Sequence, residues 1–135
     1  MPRMIFVNLP VNDLAASRGF FRALGFDFNE EFSDDRAACV VLADNIFVML
    51  LREDFFATFV NGEIADASST EVITCLSAST RDEVDELVRR AVEAGGKPWK
   101  DTFSEGPMYG GSFQDLDGHV WEVMYMDTDT DQAAG

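Results

Sequence analysis

The feature that most constrains this chain is that one order of elements occurs twice. MIFVNLPV (4–11) is an apolar, β-rich run, and NDLAASRGFFRALGF (12–26) follows it as a helix. Asn12 is placed to cap that helix, Leu14, Phe21 and Leu24 share one face, and Gly25 ends it. DFNEEFSDD, RAACVVLA and NIFVMLLRE then read as three strands ending at residue 53, with Asp44-Asn45 at the turn between the last two. The second half repeats this. EVITCLSAS (71–79) is a strand, and TRDEVDELVRRAVEAGG (80–96) is a helix opened by a Thr80/Glu83 capping box. In that helix Val84, Leu87, Val88, Ala91 and Val92 keep helical spacing. KPWKDTFSE, MYGGSFQDL and HVWEVMYMD give three more strands, with Asp117-Gly118 making the last turn. Each half reads βαβββ, and LADNIFVML (42–50) can be laid on LDGHVWEVM (116–124). A helix and a sheet in each half exclude a solenoid, and two such sheets paired about a pseudo-twofold axis would leave a cleft. The fold class is α+β.

One domain is expected over 1–127, with modules 4–53 and 71–127. The linker 54–70 starts with Phe55, Phe56 and Phe59 at helical spacing, read as a short helix over a sheet edge. The tail 128–135 is polar and expected to be flexible. Neither a signal peptide nor a bilayer-length apolar segment is found, so a soluble cytoplasmic protein is expected. Cys39 and Cys75 are far apart and form no CxxC, which excludes a disulfide framework or structural zinc site and leaves two reduced core residues. With 25 acidic against 10 basic residues, a net charge of −15, no nucleic-acid or anionic-membrane partner is expected. The charge suits a cationic ligand, and it also serves solubility.

Within the last strand one carboxylate, Glu122, stands among Val, Trp and Met. Two segments around these features carry a resemblance. LPVNDLAASRGFFRALGF (9–26) follows V-x-D-L-x-x-S-x-x-F-[YF]-x-x-L-G-F, and SFQDLDGHVWEV (112–123) follows D-x-D-G-[HN]-x-x-E. The chain thereby resembles the vicinal oxygen chelate superfamily, which includes glyoxalase I, extradiol dioxygenases and bleomycin resistance proteins. The resemblance implies two βαβββ modules forming an open U-shaped mixed sheet around a cleft, and a homodimer. In the family's metal enzymes it implies four ligands, one from each of four strands, holding a divalent cation that acts as a Lewis acid.

Carried over by position, only Glu122 keeps a ligand. The first ligand position falls on Phe6, with Asn8 two residues on along the same face. The fourth-strand position falls on Val48 or Met49, and that of the strand opening the second half on Ile73 or Cys75. None of these suits a hard cation, so no metal cofactor is expected. His119 reads as a polar hairpin residue. Alternation puts Val120, Met124 and Met126 on the Glu122 face and Trp121, Val123 and Tyr125 toward the helices.

The expected ligand-binding set is Glu122, Asn8, Phe6, Met49, Cys75 and Met124, with Phe47, Tyr109 and Phe113 as walls. The expected function is metal-free binding of a cationic or hydrophobic small molecule in an apolar cleft. Three alternatives stand beside it. One is a divalent-metal-dependent lyase or dioxygenase resembling lactoylglutathione lyase. Another is metal-free catalysis with Glu122 as acid or base. In the third, the pocket is filled by its own side chains and Glu122 pairs with Arg3, Arg52 or a lysine.

Overall fold

A computed structural model describes residues 3–127, so the tail expected to be flexible lies outside the described residues. The chain divides into two compact units, with the boundary between Ser68 and Ser69. In the first unit the order is β1 (Ile5–Val11), α1 (Leu14–Ala23), β2 (Asp27–Asn29), β3 (Ala37–Ala43) and β4 (Ile46–Arg52). The strands form an open mixed sheet in the order β1-β4-β3-β2, with β1 parallel to β4 and the other pairs antiparallel. A short helix, α2 (Glu53–Phe56), and a 3-10 turn (Ala57–Phe59) follow where helical spacing was read.

The second unit follows the same course with one more short strand: β5 (Ile73–Ala78), α3 (Arg81–Glu93), β6 (Lys97–Pro98), β7 (Phe103–Glu105), β8 (Met108–Gln114) and β9 (Val120–Met126). β5 runs parallel to β9, β9 pairs antiparallel with β8, and β6 and β7 both pair antiparallel with β8. The stretch 97–105, expected as one strand, is therefore two short pieces on one edge of β8. Pro98 has no N–H to extend the ladder. Residues 27–35, also expected as one strand, keep only three strand residues before a 3-10 turn at Glu30–Phe32. Asn29 accepts from the Glu31 N–H there, a local bond that competes with the sheet.

Both helices start on side-chain caps. In α1 the cap is Asp13, accepting from the Ala16 N–H at 3.0 Å, and not Asn12 as expected. One residue's difference arises because the cap bonds the third N–H of the helix, and Asp13 stands at that spacing. In α3 Thr80 Oγ1 accepts from the Glu83 N–H at 3.0 Å, and Glu83 reaches back to the Ser79 N–H at 2.5 Å. Gly25 and Gly95 end the two helices with φ of 100° and 111°, a conformation open to glycine at little cost.

α1 buries Ser17, Phe20, Phe21 and Leu24, spaced as one face of the helix. Leu9, Val11, Ala38, Val40, Val48 and Leu50, which share one face of the first sheet by register, are buried as well. Phe28 belongs to that face through its pairing with Val40, and the guanidinium groups of Arg18 and Arg22 on α1 lie over its ring, which places α1 on this side. In the second unit Trp121 and Val123 point toward α3. A Cβ on Gly111, paired with Val123, would meet Val84 and Val88 of that helix. Each large apolar side chain removed from water contributes about 1.5–3 kcal/mol.

Candidate functional site

With α1 and α3 assigned to one face of each sheet, the candidate residues sort by register. In the first unit Phe6 is paired with Phe47 and Asn8 with Met49, on the face turned away from α1. Phe6 stacks on Phe47, centroids 4.8 Å apart and rings 13° from parallel. Phe6 is 38% exposed, Phe47 is buried and Met49 half-buried. Of the two positions open for the fourth strand, Met49 is on this face. Val48 is fully buried on the other. Sequence reasoning did not single out Phe32, whose ring stands at 70° to Phe6 with centroids 6.4 Å apart. It arrives there on the 3-10 turn, in a segment read as a strand.

In the second unit Glu122 is paired with Cys75 on one side and Ser112 on the other. Ile73 lies two residues before Cys75 on β5, so both residues left open for that strand share the Glu122 face. Met124 is on the same face, paired with Gly110, and so is Phe103. A Cβ on Gly110 would sit 2.7 Å from the Phe103 ring and 3.0 Å from the Met124 thioether, so both side chains close over the bare backbone there. Phe103, 37% exposed, was also missed from sequence.

Two expected walls belong elsewhere. Phe113 is fully buried on the α3 side, stacked with Trp121 at 6.4 Å and 2°. Tyr109 is on the same side, and its hydroxyl donates to Asp85 of α3 at 2.7 Å. Arg81, also of α3, lies over the rings of Tyr109 and Tyr125. In a strand, odd and even residues face opposite ways, and both residues have the parity of Trp121 and Val123 rather than of Glu122.

Glu122 is half-buried. Among the described residues no ion pair reaches it, and Arg52, one of the partners considered for it, pairs with Asp54 at 3.0 Å. Cys75 is exposed, not the core residue expected from the sequence; partial desolvation still pushes its thiol above the ordinary value, and the Glu122 carboxylate adds to the shift. Cys75 is thereby kept as a neutral thiol, a poor nucleophile and a poor metal ligand. Ser112 is engaged too: its hydroxyl accepts from the Lys100 N–H at 3.0 Å. The positions corresponding to a family metal site thus offer one carboxylate, a protonated thiol, and Phe and Met side chains. That donor set does not fit a hard divalent cation. Among the described residues no three His, Cys, Asp or Glu side chains are grouped to hold a metal ion.

The turn before β9 holds a polar cluster of another kind. His119, expected as a polar hairpin residue, is buried, with Nδ1 2.9 Å from Glu71 Oε1. Asp115, also buried, accepts from the Asp117 and His119 N–H groups through Oδ1 and from the Trp121 indole N–H through Oδ2, each at 3.0 Å. The D-x-D-G motif therefore ties the turn to the core, and its first Asp is the anchor.

The model of the bleomycin resistance protein-like N-terminal family matches residues 3–42. A hypothetical protein from S. aureus, SA1046, is similar at 30% identity and a TM-score of 0.80, covering 93% of this chain and 94% of that one. A glyoxalase/bleomycin resistance protein/dioxygenase family enzyme from Burkholderia phytofirmans is similar at 17% identity and TM-score 0.77, covering 93% and 99%. A glyoxalase-related enzyme from Fulvimarina pelagi gives 19% and 0.78, covering 93% and 88%. No protein of curated function matches. The repeated βαβββ order, the two motifs and these likenesses together make the chain a member of the glyoxalase/bleomycin resistance/dioxygenase family, within the vicinal oxygen chelate superfamily.

Proposed function

We propose that this chain binds a cationic or hydrophobic small molecule without a metal ion, held at Glu122 on the face of the second unit's sheet turned away from α3. The observation that carries this reading is Glu122, a half-buried carboxylate with no ion-pair partner among the described residues, beside Cys75 and Met124. A carboxylate partly withdrawn from water gains most from a donor or cation supplied by a ligand. The surrounding side chains are apolar, as in most small-molecule sites. The net charge of −15 draws cations toward the protein over longer distances. The dimer implied by the family resemblance belongs to this proposal, and sedimentation at twice the 15.0 kDa chain mass is its expected signature.

Thermal-shift screening with organic amines and neutral apolar compounds tests the reading. A ligand at a hundred times its Kd stabilises the folded state by about 2.7 kcal/mol, a readily measured rise in Tm. Glu122→Gln is expected to remove the shift given by amines and to leave that given by neutral compounds. Stoichiometric nickel, zinc, manganese or iron, retained through dialysis and lost in Glu122→Gln, would overturn the metal-free reading in favour of a lyase or dioxygenase.

A further inference from the structure

We propose that His119 and Glu71 form a pH-sensitive latch that fastens the start of β5 to β9, and with it one flank of the face that carries Glu122. The latch needs no ligand to be seen, so it stands or falls apart from the binding reading above. His119 is the chain's single histidine, and it is buried. Its backbone is pinned twice to Asp115. The Asp115 N–H donates to the His119 carbonyl, and Asp115 Oδ1 accepts from the His119 N–H, each at 3.0 Å. The ring is thus held in place by the turn, and it reaches Glu71, with Nδ1 2.9 Å from Oε1.

Glu71 stands two residues before β5. That strand is at the edge of its sheet and pairs, among the described residues, with β9 alone. Its first residue, Ile73, pairs with Val120, directly after His119, and Cys75 pairs with Glu122. Ile73 is 51% exposed, so packing holds the start of the strand only weakly. A tie at Glu71 acts where β5 has least else to hold it. Charged groups face the ring from two sides, Glu71 ahead of β5 and Asp115 in the ring's own turn, and both are acidic. Acidic neighbours favour the imidazolium. Histidine is the side chain whose charge ordinarily changes between about pH 5 and 8. Protonated, it gives Glu71 a charge-assisted bond, roughly twice as strong as a neutral one. Deprotonated, it can still donate through Nδ1–H, but the charge is gone. The latch is therefore tight on the acid side of the ring's titration and loosens as pH rises through it.

Hydrogen exchange on the whole chain tests this. It is read at the β5 amides bonded to β9 over residues 73–75 and corrected for the intrinsic pH dependence of exchange. Protection there is expected to fall about tenfold from about pH 5.5 to about pH 8, the factor that follows from a tenfold difference in proton affinity between latched and open forms. Glu71→Gln keeps the side chain's size and an acceptor, and at 31% exposure it is expected to leave the fold intact. It should flatten the pH dependence. It should also move the inflection of the ring's NMR resonance, unambiguous with one histidine, to lower pH. A flat profile in the unmodified chain overturns the latch. So does an equal fall in Glu71→Gln, which would assign the pH dependence to Asp115 or another group. A ring inflection that Glu71→Gln leaves unmoved overturns it as well.

Discussion

Asp115 shows how much one side chain can hold. Three donors converge on its carboxylate, two from the turn backbone and one from the Trp121 indole. Asp115→Ala leaves those donors without an acceptor, each costing about 1–3 kcal/mol where water cannot replace it. A loss of about 3 kcal/mol in urea unfolding is expected, and a loss under 1 kcal/mol would mean that the turn stands without it. Burial pushes the Asp115 carboxyl above its ordinary value of 3.8, against the lowering effects of His119 and the three hydrogen bonds. The folded state then holds this proton more tightly than the unfolded chain. Over the window from 3.8 up to the raised value, Asp115's contribution to stability declines as pH rises. The Trp121 indole N–H resonance should report the titration with an inflection above 3.8, and an inflection below that contradicts the assignment. From sequence, Asp115 was visible only as part of a motif. That it is buried, and that His119 lies inside rather than on the hairpin, depends on Glu71 arriving from the segment before β5 and on Trp121 at the start of β9 turning into the core.

Among the elements, the repeat is close in order, with the two short strands β6 and β7 where the first unit has β2 alone, and inexact in register. Aligned straight through the turns, Glu122 falls on Val48. Yet Val48 faces α1, while Glu122 faces away from α3. The two hairpins differ: Ala43 and Ile46 pair across a two-residue turn after a shift in register, while Gln114 and Val120 enclose five residues. A one-residue slip exchanges the faces of a strand, so the position equivalent to Glu122 cannot be counted through a turn. The same pleat gives Gly110 its role. Gly110→Ala drives a methyl to 2.7 Å from the Phe103 ring and 3.0 Å from the Met124 thioether, so both side chains must shift. The expected cost is about 1–2 kcal/mol in thermal or urea unfolding. Phe103→Ala should recover most of it in the double variant, and additive losses would show that the two side chains do not share that space.

For the whole molecule, charge is the dominant long-range term. With 25 acidic and 10 basic residues, self-repulsion opposes the compact state at neutral pH. Raising NaCl from about 0.01 to 0.5 M shortens the screening length from about 30 Å to under 10 Å. Tm is expected to climb across that range. A Tm that falls instead would show that the exposed ion pairs, such as those of Glu86 with Arg89 and Arg90, outweigh the repulsion. Among the described residues no helix is long and apolar enough to cross a membrane.

The amino-acid sequence by itself determined what depends on neighbours along the chain. The duplicated βαβββ order, the Thr80 cap, the glycine stops and the inside–outside alternation of β9 all follow from spacings of a few residues. The family motifs are legible for the same reason. Tertiary structure decided what depends on strands meeting. It chose Met49 over Val48, put Cys75 and Ile73 on the face of Glu122, removed Tyr109 and Phe113 to the α3 side and brought Phe32 beside Phe6. Register, bulges and turn length set which side chains share a face, and they are fixed by long-range pairing that no local spacing encodes.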